Sequence, residues 1–559
     1  TDNNRYLFTY GDLLLSYEHR LAQNFNATLS LGYQGRVEDY RYNHANTRDG
    51  LTTENWFSMS ASKTTPVQGN AYRGRLVKDG LFGILNFDFH SYLFVEGTLR
   101  RERSSTLNPK NNTFYYPGVS AAFELSNAFK LPAFVAYSKL RAAWGIVGNP
   151  PDRYLSNIVY DAANIQGVPI LTPPTSNYGN ENLENEEKHE IEFGWENRFI
   201  QNRLGFDITY YNDKIVNQIM SLTLPATTGA TSRLVNVGSM RNYGVELSLY
   251  GTPVKLKSFS WDSRLNLAFN RNKIVSLMEG LSYLTQANID NGSLLVRSEP
   301  GQPAGDIYVY KRKTDAGGNY IIGDNGYYVV DYDQMQKVGN IQPKVNGGFL
   351  NTINYKNLSL NFLIDFRYGG QVVSAGLLYG TGAGLYTNSM FGRDAQHGGV
   401  AYYVDANGNY VKANDGATAG PNGEKIYHDG IILNGVQANG HTNATIIDAP
   451  SYYLNTFTWG SWPGYQSNSV YEGAVFDNDF IKMREVSLSY VFPVSLSNKM
   501  KMQNLTLTLY GRNLFYFHKT LPYLDAEEGV GTDWVSRATS AGSGSAATRS
   551  MGASLRLTF

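Results

Sequence analysis

Few residues in this 559-residue chain have the type and spacing for covalent chemistry. Ser60-Ala61-Ser62-Lys63 has the spacing at which a lysine amine can deprotonate a serine hydroxyl. The Ser-Asp-Asn and Lys-Thr-Gly elements that complete such a site are missing, so the match reads as chance. The eight histidines form no His-x-x-x-His pair. With no cysteine, there is no thiolate nucleophile, no disulfide and no Cys-ligated zinc. Gly380-Thr381-Gly382-Ala383-Gly384 lacks the Lys-Ser/Thr that would make it a phosphate loop. Asp405-Ala406-Asn407-Gly408-Asn409 begins like a calcium loop. However, Tyr410 stands where glycine is needed, and Gly416 stands where the bidentate glutamate is needed. Asp315-Ala316-Gly317-Gly318-Asn319 and Asp331-Tyr332-Asp333 also read first as turns, with calcium as the weaker alternative. No enzyme, no metal centre and no cofactor is expected.

Non-covalent recognition is better supplied. The segment 371–479 holds Tyr402, Tyr403, Trp459 and Trp462 among many aromatics. Such rings can stack on sugar faces or cover apolar peptide side chains. A connection this long is uncommon unless functional. The alternative is that its rings pack on one another as a small core. Asp207, Asp365 and Arg367 are the charged candidates, able to bind the termini or hydroxyls of a cargo.

Composition narrows the class. Forty-eight Lys plus Arg balance 48 Asp plus Glu, which argues against an electrostatic nucleic-acid binder. A hydrophobic content of 42% with 13% aromatics argues against disorder. No apolar run is long enough for a membrane helix. Thr1-Asp2-Asn3-Asn4 opens no signal peptide. The chain therefore reads as mature or as a piece of something longer.

The elements that must carry these residues are strands. Met551, Ala553, Leu555, Leu557 and Phe559 alternate with Gly552, Ser554, Arg556 and Thr558. Leu358 to Tyr368, Leu204 to Tyr210 and Phe25 to Tyr33 show the same period of two. A β-sandwich would give this alternation too, but these runs reach about 11–16 residues where soluble strands average about 5–6. Their polar faces carry charge, and Tyr and Phe crowd their ends as in a membrane girdle. The expected fold is all-β, a transmembrane antiparallel barrel.

Fifteen strands are expected, near 5–19, 23–36, 80–90, 91–103, 113–125, 134–147, 186–199, 203–218, 240–251, 258–273, 343–355, 357–370, 480–492, 503–515 and 547–559. Short turns alternate with long connections at 37–79, 104–112, 148–185, 219–239, 274–342, 371–479 and 516–546. Outer-membrane barrels have short periplasmic turns and long external loops. Residues 303–313 go to the long loop, because a strand there would break the alternation. Outward residues such as Leu360, Phe362, Ile364, Leu505, Leu507 and Leu509 should touch lipid. Single-chain bacterial barrels have even strand counts, so fifteen implies that an odd number of earlier strands is missing.

Several stretches resemble the SusC/RagA family of TonB-dependent outer-membrane transporters. They are Leu140-Arg141-Ala142-Ala143-Trp144-Gly145-Ile146-Val147-Gly148-Asn149, Asn180-Glu181-Asn182-Leu183-Glu184-Asn185-Glu186, Asn236-Val237-Gly238-Ser239-Met240-Arg241-Asn242-Tyr243-Gly244-Val245-Glu246, and Asp477-Asn478-Asp479-Phe480-Ile481-Lys482-Met483-Arg484-Glu485-Val486. Glu181 stands where the family usually has proline. Each motif is short, but their order from about residue 80 to 559 matches. The resemblance implies that residues 1–559 are the C-terminal part of a 22-stranded barrel, with the plug domain, TonB box and early strands elsewhere. It implies active import of glycan oligosaccharides or oligopeptides, powered through TonB, with a SusD-like surface lipoprotein as partner. A dimer of transporter–lipoprotein pairs is the further assembly it allows. Phe559 resembles the terminal aromatic of the barrel assembly signal. The alternative function is a passive porin or structural barrel.

Overall fold

The computed structural model describes residues 2–158, 160–172, 177–223, 232–544 and 547–559. Fifteen strands form one antiparallel sheet in which each pairs with its neighbours in chain order. They are β1 Asp2–Ala22, β2 Phe25–Leu51, β3 Ser62–Phe89, β4 Leu93–Ser104 and β5 Thr113–Glu124. Then come β6 Val135–Asn149, β7 Glu186–Phe199, β8 Leu204–Val216, β9 Ser239–Lys255 and β10 Phe259–Ser276. Last are β11 Val345–Tyr355, β12 Leu358–Tyr368, β13 Phe480–Val491, β14 Asn504–Lys519 and β15 Ser550–Thr558. All fifteen expected strands are found.

The chain divides into two compact units, Thr1–Leu247 with Val275–Gly280, and Ser248–Ile274 with Leu281–Phe559. Within each, cross-strand register sorts the side chains into rows. In the second unit Trp261, Ile353, Leu360, Leu488, Leu509 and Ala553 follow one another across six strands. One residue away, on the opposite face, lies the row Ser260, Asn354, Ser359, Ser489, Thr508 and Ser554. In the first unit Leu13, Tyr33 and Leu81 share a row, as do Val119, Trp144 and Ile191. The apolar rows are not covered by protein even on interior strands: Leu81 is 55% exposed, Leu99 54% and Phe193 51%. Apolar surface left in water forgoes about 25 cal/mol per Å², so these rows make sense against hydrocarbon. No helix among the described residues is long and apolar enough to cross a membrane.

Two expectations are corrected. The 37–79 stretch is not a loop: β2 and β3 keep pairing as far as Leu51 opposite Ser62, with bulges after Asn43. The hydrophobic alternation fades there because both faces turn polar above the apolar belt, while the backbone ladder goes on. Leu505 is 6% exposed and so does not present itself to lipid. It sits at the turn end of β14, where the helix Val494–Lys499 packs against the strand.

The packed core is in the long connections. Segment 274–342 folds into strands Leu284–Ile289, Leu294–Ser298, Ala304–Val309 and Gln336–Asn340, which make their own four-stranded sheet. Residues 303–313 thus lie outside the fifteen-stranded sheet, as expected. Leu294, Val296, Ile307, Val309, Val373, Leu378 and Tyr471 close one buried cluster. Ile322, Ile431, Ile447 and Tyr453 close a second.

The rows give a direct test. Leu507 lies between Tyr490 and Leu555 on the apolar face, while Thr508 hydrogen-bonds Ser489 at 2.9 Å on the polar face. Leu507→Arg should cost about 2–4 kcal/mol and reduce the yield of heat-modifiable barrel, whereas Thr508→Arg should be tolerated. Equal yields would mean that the two faces are misassigned.

Candidate functional site

The best-formed candidate for a recognition element is a two-residue turn. Trp462 and Tyr465 pair across Pro463-Gly464, with Tyr465 N–H to the Trp462 carbonyl at 2.9 Å. Proline pre-sets the first turn dihedral, and this brings the two rings onto one side. Their centroids lie 4.9 Å apart and nearly parallel, and Trp459 closes edge-on at 5.1 Å from Trp462. Gly460 is required beneath them. Its φ is +87°, and a Cβ there would lie 2.8 Å from both the Trp462 and Tyr465 rings. Trp459 stays 44% exposed and Tyr465 47%. Trp459 and Tyr465 therefore present apolar area to the outside, with Trp462 half-buried between them, at little remaining entropic cost.

The base of this turn is fixed. Gly460 N–H donates to the Tyr471 hydroxyl at 2.8 Å, and Ser461 N–H donates to Ser293 Oγ at 2.8 Å. The Tyr332 hydroxyl donates to the Ser467 carbonyl at 3.0 Å and accepts from Ser467 N–H at 3.1 Å. Tyr471 donates in turn to Asp290 at 2.6 Å, and Tyr379 donates to the same oxygen. Burial, and then the Asp290 carboxylate, push the Tyr471 phenol up to about 12, so it stays a donor throughout the working range.

Tyr402 is differently placed. It is buried in the sheet of Val400–Val404, Tyr410–Lys412, Tyr427–Ile431 and Ile447–Asp448, against the rings of Tyr410 at 4.7 Å and Tyr427 at 5.4 Å. Its surface is spent on packing and its phenol is pushed up by burial. Tyr403 is half-buried, opposite Val411.

Two of the charged candidates, Asp207 and Asp365, are held by arginine partners. In the first unit, Asp207 accepts from Arg141 at 2.6 and 3.2 Å. In the second, Asp365 accepts from Arg484 Nε at 3.1 Å, and Arg484 also donates to Glu527 at 2.6 Å. Arg367 lies over the Phe480 ring at 5.4 Å, and its buried Nε has no hydrogen-bond partner. Lys482, 2% exposed, bonds Asp525 at 3.2 Å and Glu527 at 3.0 Å. Lys482 and Arg484 on the strands thus bond Asp525 and Glu527 of the 516–546 loop, and these ion pairs pin that loop to the wall. The sequence signal for this was faint: Asp525 and Glu527 sit in a loop and carry no periodicity.

The calcium-like turns are self-satisfied. Asp405 Oδ1 accepts from Asn407 and Asn409 N–H at 2.9 and 2.8 Å, and Asp315 Oδ1 accepts from Gly317 and Asn319 N–H at 2.8 Å each. The side chain and backbone of Asn319 hold the Asp315 carboxyl below its usual range, and the backbone and side chain of Asn409 do the same for Asp405. Among the described residues no group of three or more His, Asp or Glu is placed to hold a metal ion.

Comparison with known proteins adds the relationship. Residues 1–333 match the family model described as TonB dependent receptor-like, beta-barrel. TonB-dependent receptor P3 of Formosa agariphila is 23% identical over 539 residues, covering 91% of this chain and 48% of the relative. TonB-dependent receptor SusC of Bacteroides thetaiotaomicron is 26% identical over 372 residues, covering 61% of this chain and 36% of the relative. Among solved structures, the RagAB peptide importer in its "open-open" state superposes with a TM-score of 0.71 at 17% identity, covering 100% of this chain and 55% of that one. The chain thus spans about half or less of the length of these relatives.

The loop clamp generates a pH prediction. Burial raises the Asp525 and Glu527 carboxyls, but hydrogen bonds from Tyr516 and Lys482 to the first, and from Arg484 and Lys482 to the second, outweigh it. Both end below the usual value. Their contribution is therefore complete above the ordinary carboxylate pKa of about 4 and is lost as pH falls through the lower folded value. A spin label on Val530→Cys, in a chain with no other cysteine, should stay immobile from neutral pH down to about 4 and loosen below. In Lys482→Met the label should already be loose at neutral pH.

Proposed function

Because the chain belongs to the TonB dependent receptor-like β-barrel family, we propose that it builds the wall and outer loops of an importer for oligomeric nutrients. Its strands lie in the bacterial outer membrane. The SusC/RagA resemblance of its motifs is matched by the SusC and RagAB relatives. Energy would come through TonB, engaged by a plug that belongs to a further part of the protein, and fifteen strands would be the last of twenty-two. A SusD-like surface lipoprotein would close over the long loops, and the pairs could assemble as dimers.

The observation that carries this reading is the cluster of exposed Trp459 and Tyr465 around half-buried Trp462 on a fixed base. A porin needs no such surface, whereas an importer must hold cargo before moving it. A glycan would stack on these rings and a peptide would lay apolar side chains against them; RagAB is itself a peptide importer. Each aromatic contact is worth about 0.5–1.5 kcal/mol. Trp459→Ala combined with Trp462→Ala should therefore weaken uptake about tenfold while leaving folded barrel unchanged. Uptake should stop when the proton-motive force is collapsed. Transport that survives both treatments would mean a passive pore whose loop only packs on itself.

Phe559 is proposed to serve assembly rather than transport. It is 75% exposed beyond the end of β15. Deleting Leu555–Phe559 should abolish heat-modifiable barrel in the outer membrane, and normal insertion would refute that role.

A further inference from the structure

The polar face of β2 and β3 carries a closed-in cavity near the long connections. The two strands pair without a slip from Phe25 opposite Phe89 to Asn43 opposite Ala71. Arg36 therefore faces Lys78, and Glu38 faces Leu76, on the side away from the Tyr33 and Leu81 row. Residues 149–153 fold back over this patch and enclose about 470 Å³. Leu76 is its buried floor. At one end the exposed Tyr72 ring leans over Gly74, where a Cβ would come within 3.0 Å of it.

The wall opposite the strands is held in place. Pro150 and Pro151 restrict the backbone there. Just beyond, Ser156 Oγ donates to the Thr106 carbonyl at 2.7 Å, and Arg75 N–H donates to the Tyr154 hydroxyl at 2.9 Å. Arg153 reaches across to Glu38, which also pairs with Arg36. Arg36 in addition lies over the Phe8 ring at 5.1 Å.

Charge in the cavity is unbalanced. Glu38 is 4% exposed and already carries two guanidiniums. Lys78 is half-buried, and among the described residues no carboxylate lies within ion-pair distance of it. Asp152 is exposed at the rim and pairs with no described cation. A partly desolvated ammonium beside two fixed guanidiniums calls for an oxyanion from outside the chain.

The remaining lining says what carries that oxyanion. Asn149 can donate and Asp152 can accept, and the Tyr72 ring offers an apolar face. A pyranose answers all three, with hydroxyls around its edge and C–H groups on its face. An acidic peptide side chain brings one charged end on an apolar stem and leaves Asn149 and Asp152 unanswered. The volume lies within the range of about 300–1,000 Å³ for small-ligand sites. We propose that this cavity holds one acidic sugar unit, a uronate or a sulfated pyranose, of an incoming oligosaccharide. Lys78 and Arg36 meet its oxyanion, and Asn149 and Asp152 meet its hydroxyls. The inference rests on the import reading and narrows the cargo to an anionic glycan.

The test is isothermal titration calorimetry on the full-length protein in detergent. The probes, matched in length, are an oligogalacturonate, a sulfated galactan oligosaccharide, a neutral galactan oligosaccharide and oligoglutamate. One or both acidic glycans should bind at least about tenfold more tightly than the neutral one, and Lys78→Gln should remove about that factor. Which of the two it is identifies the oxyanion. Arg101→Gln, on the outward face, should change nothing. Lys78 holds no ion pair, so its replacement should leave the yield of heat-modifiable barrel unaltered. Equal affinity for acidic and neutral glycans, an unaffected Lys78→Gln variant, or no binding of any probe would overturn the proposal. Oligoglutamate binding as tightly, with the same loss in Lys78→Gln, would overturn the sugar assignment. Uptake measured alongside separates the two readings. Lys78-dependent binding with uptake indifferent to the proton-motive force would keep the subsite and remove the importer. Force-driven uptake of a neutral oligomer without acidic-glycan binding would do the reverse.

Discussion

Hydrocarbon offers no partner to a peptide N–H or carbonyl, and most of this structure follows from that. An unsatisfied backbone group in the bilayer costs several kcal/mol, so each spanning segment must pair along its length with neighbours on both sides. That forces long strands, short turns on one side and consecutive pairing, which is the order observed from β1 to β15. It also reverses the usual arrangement of side chains. Leu81, Leu99 and Phe193 face outward and stay uncovered by protein, while Ser359, Ser489 and Thr508 line the other face.

The same constraint moves the packed core out of the membrane. The wall supplies rows rather than layers, so buried clusters form where connections are long enough to fold on themselves. Leu294, Val296, Ile307 and Val309 come from one such connection, and Val373, Leu378 and Tyr471 from another. The recognition turn at Trp459–Tyr465 is fixed by this second structure. Its hydrogen bonds run to Ser293, Tyr332 and, through Tyr471, to Asp290, so its rigidity depends on two loops meeting.

Legibility followed periodicity. Every strand of the wall was readable because alternation of Leu360, Phe362 and Ile364 with Asn361 and Asp365 records an environment with two distinct sides. Where that contrast ends the signal ends: β2 and β3 continue to Leu51 and Ser62 with polar residues on both faces. Leu505 alternates correctly yet is covered, since a local helix is invisible to a period of two. In the loops, residue type alone could not separate Tyr402, buried among its own rings, from Trp459, left open. The clamp of Lys482 and Arg484 on Asp525 and Glu527 was hidden because its halves are more than forty residues apart.

The separation of wall and loops has an evolutionary consequence. The two main loop clusters are built without any residue from the lipid-facing rows. Substitutions that reshape the recognition surface can therefore accumulate without weakening the strands, and strand residues can drift among apolar types without disturbing the surface. Selection acts on two nearly uncoupled problems, residence in the bilayer and the shape of the outer surface. One wall can thus carry many different outer surfaces by exchange of its loop domains.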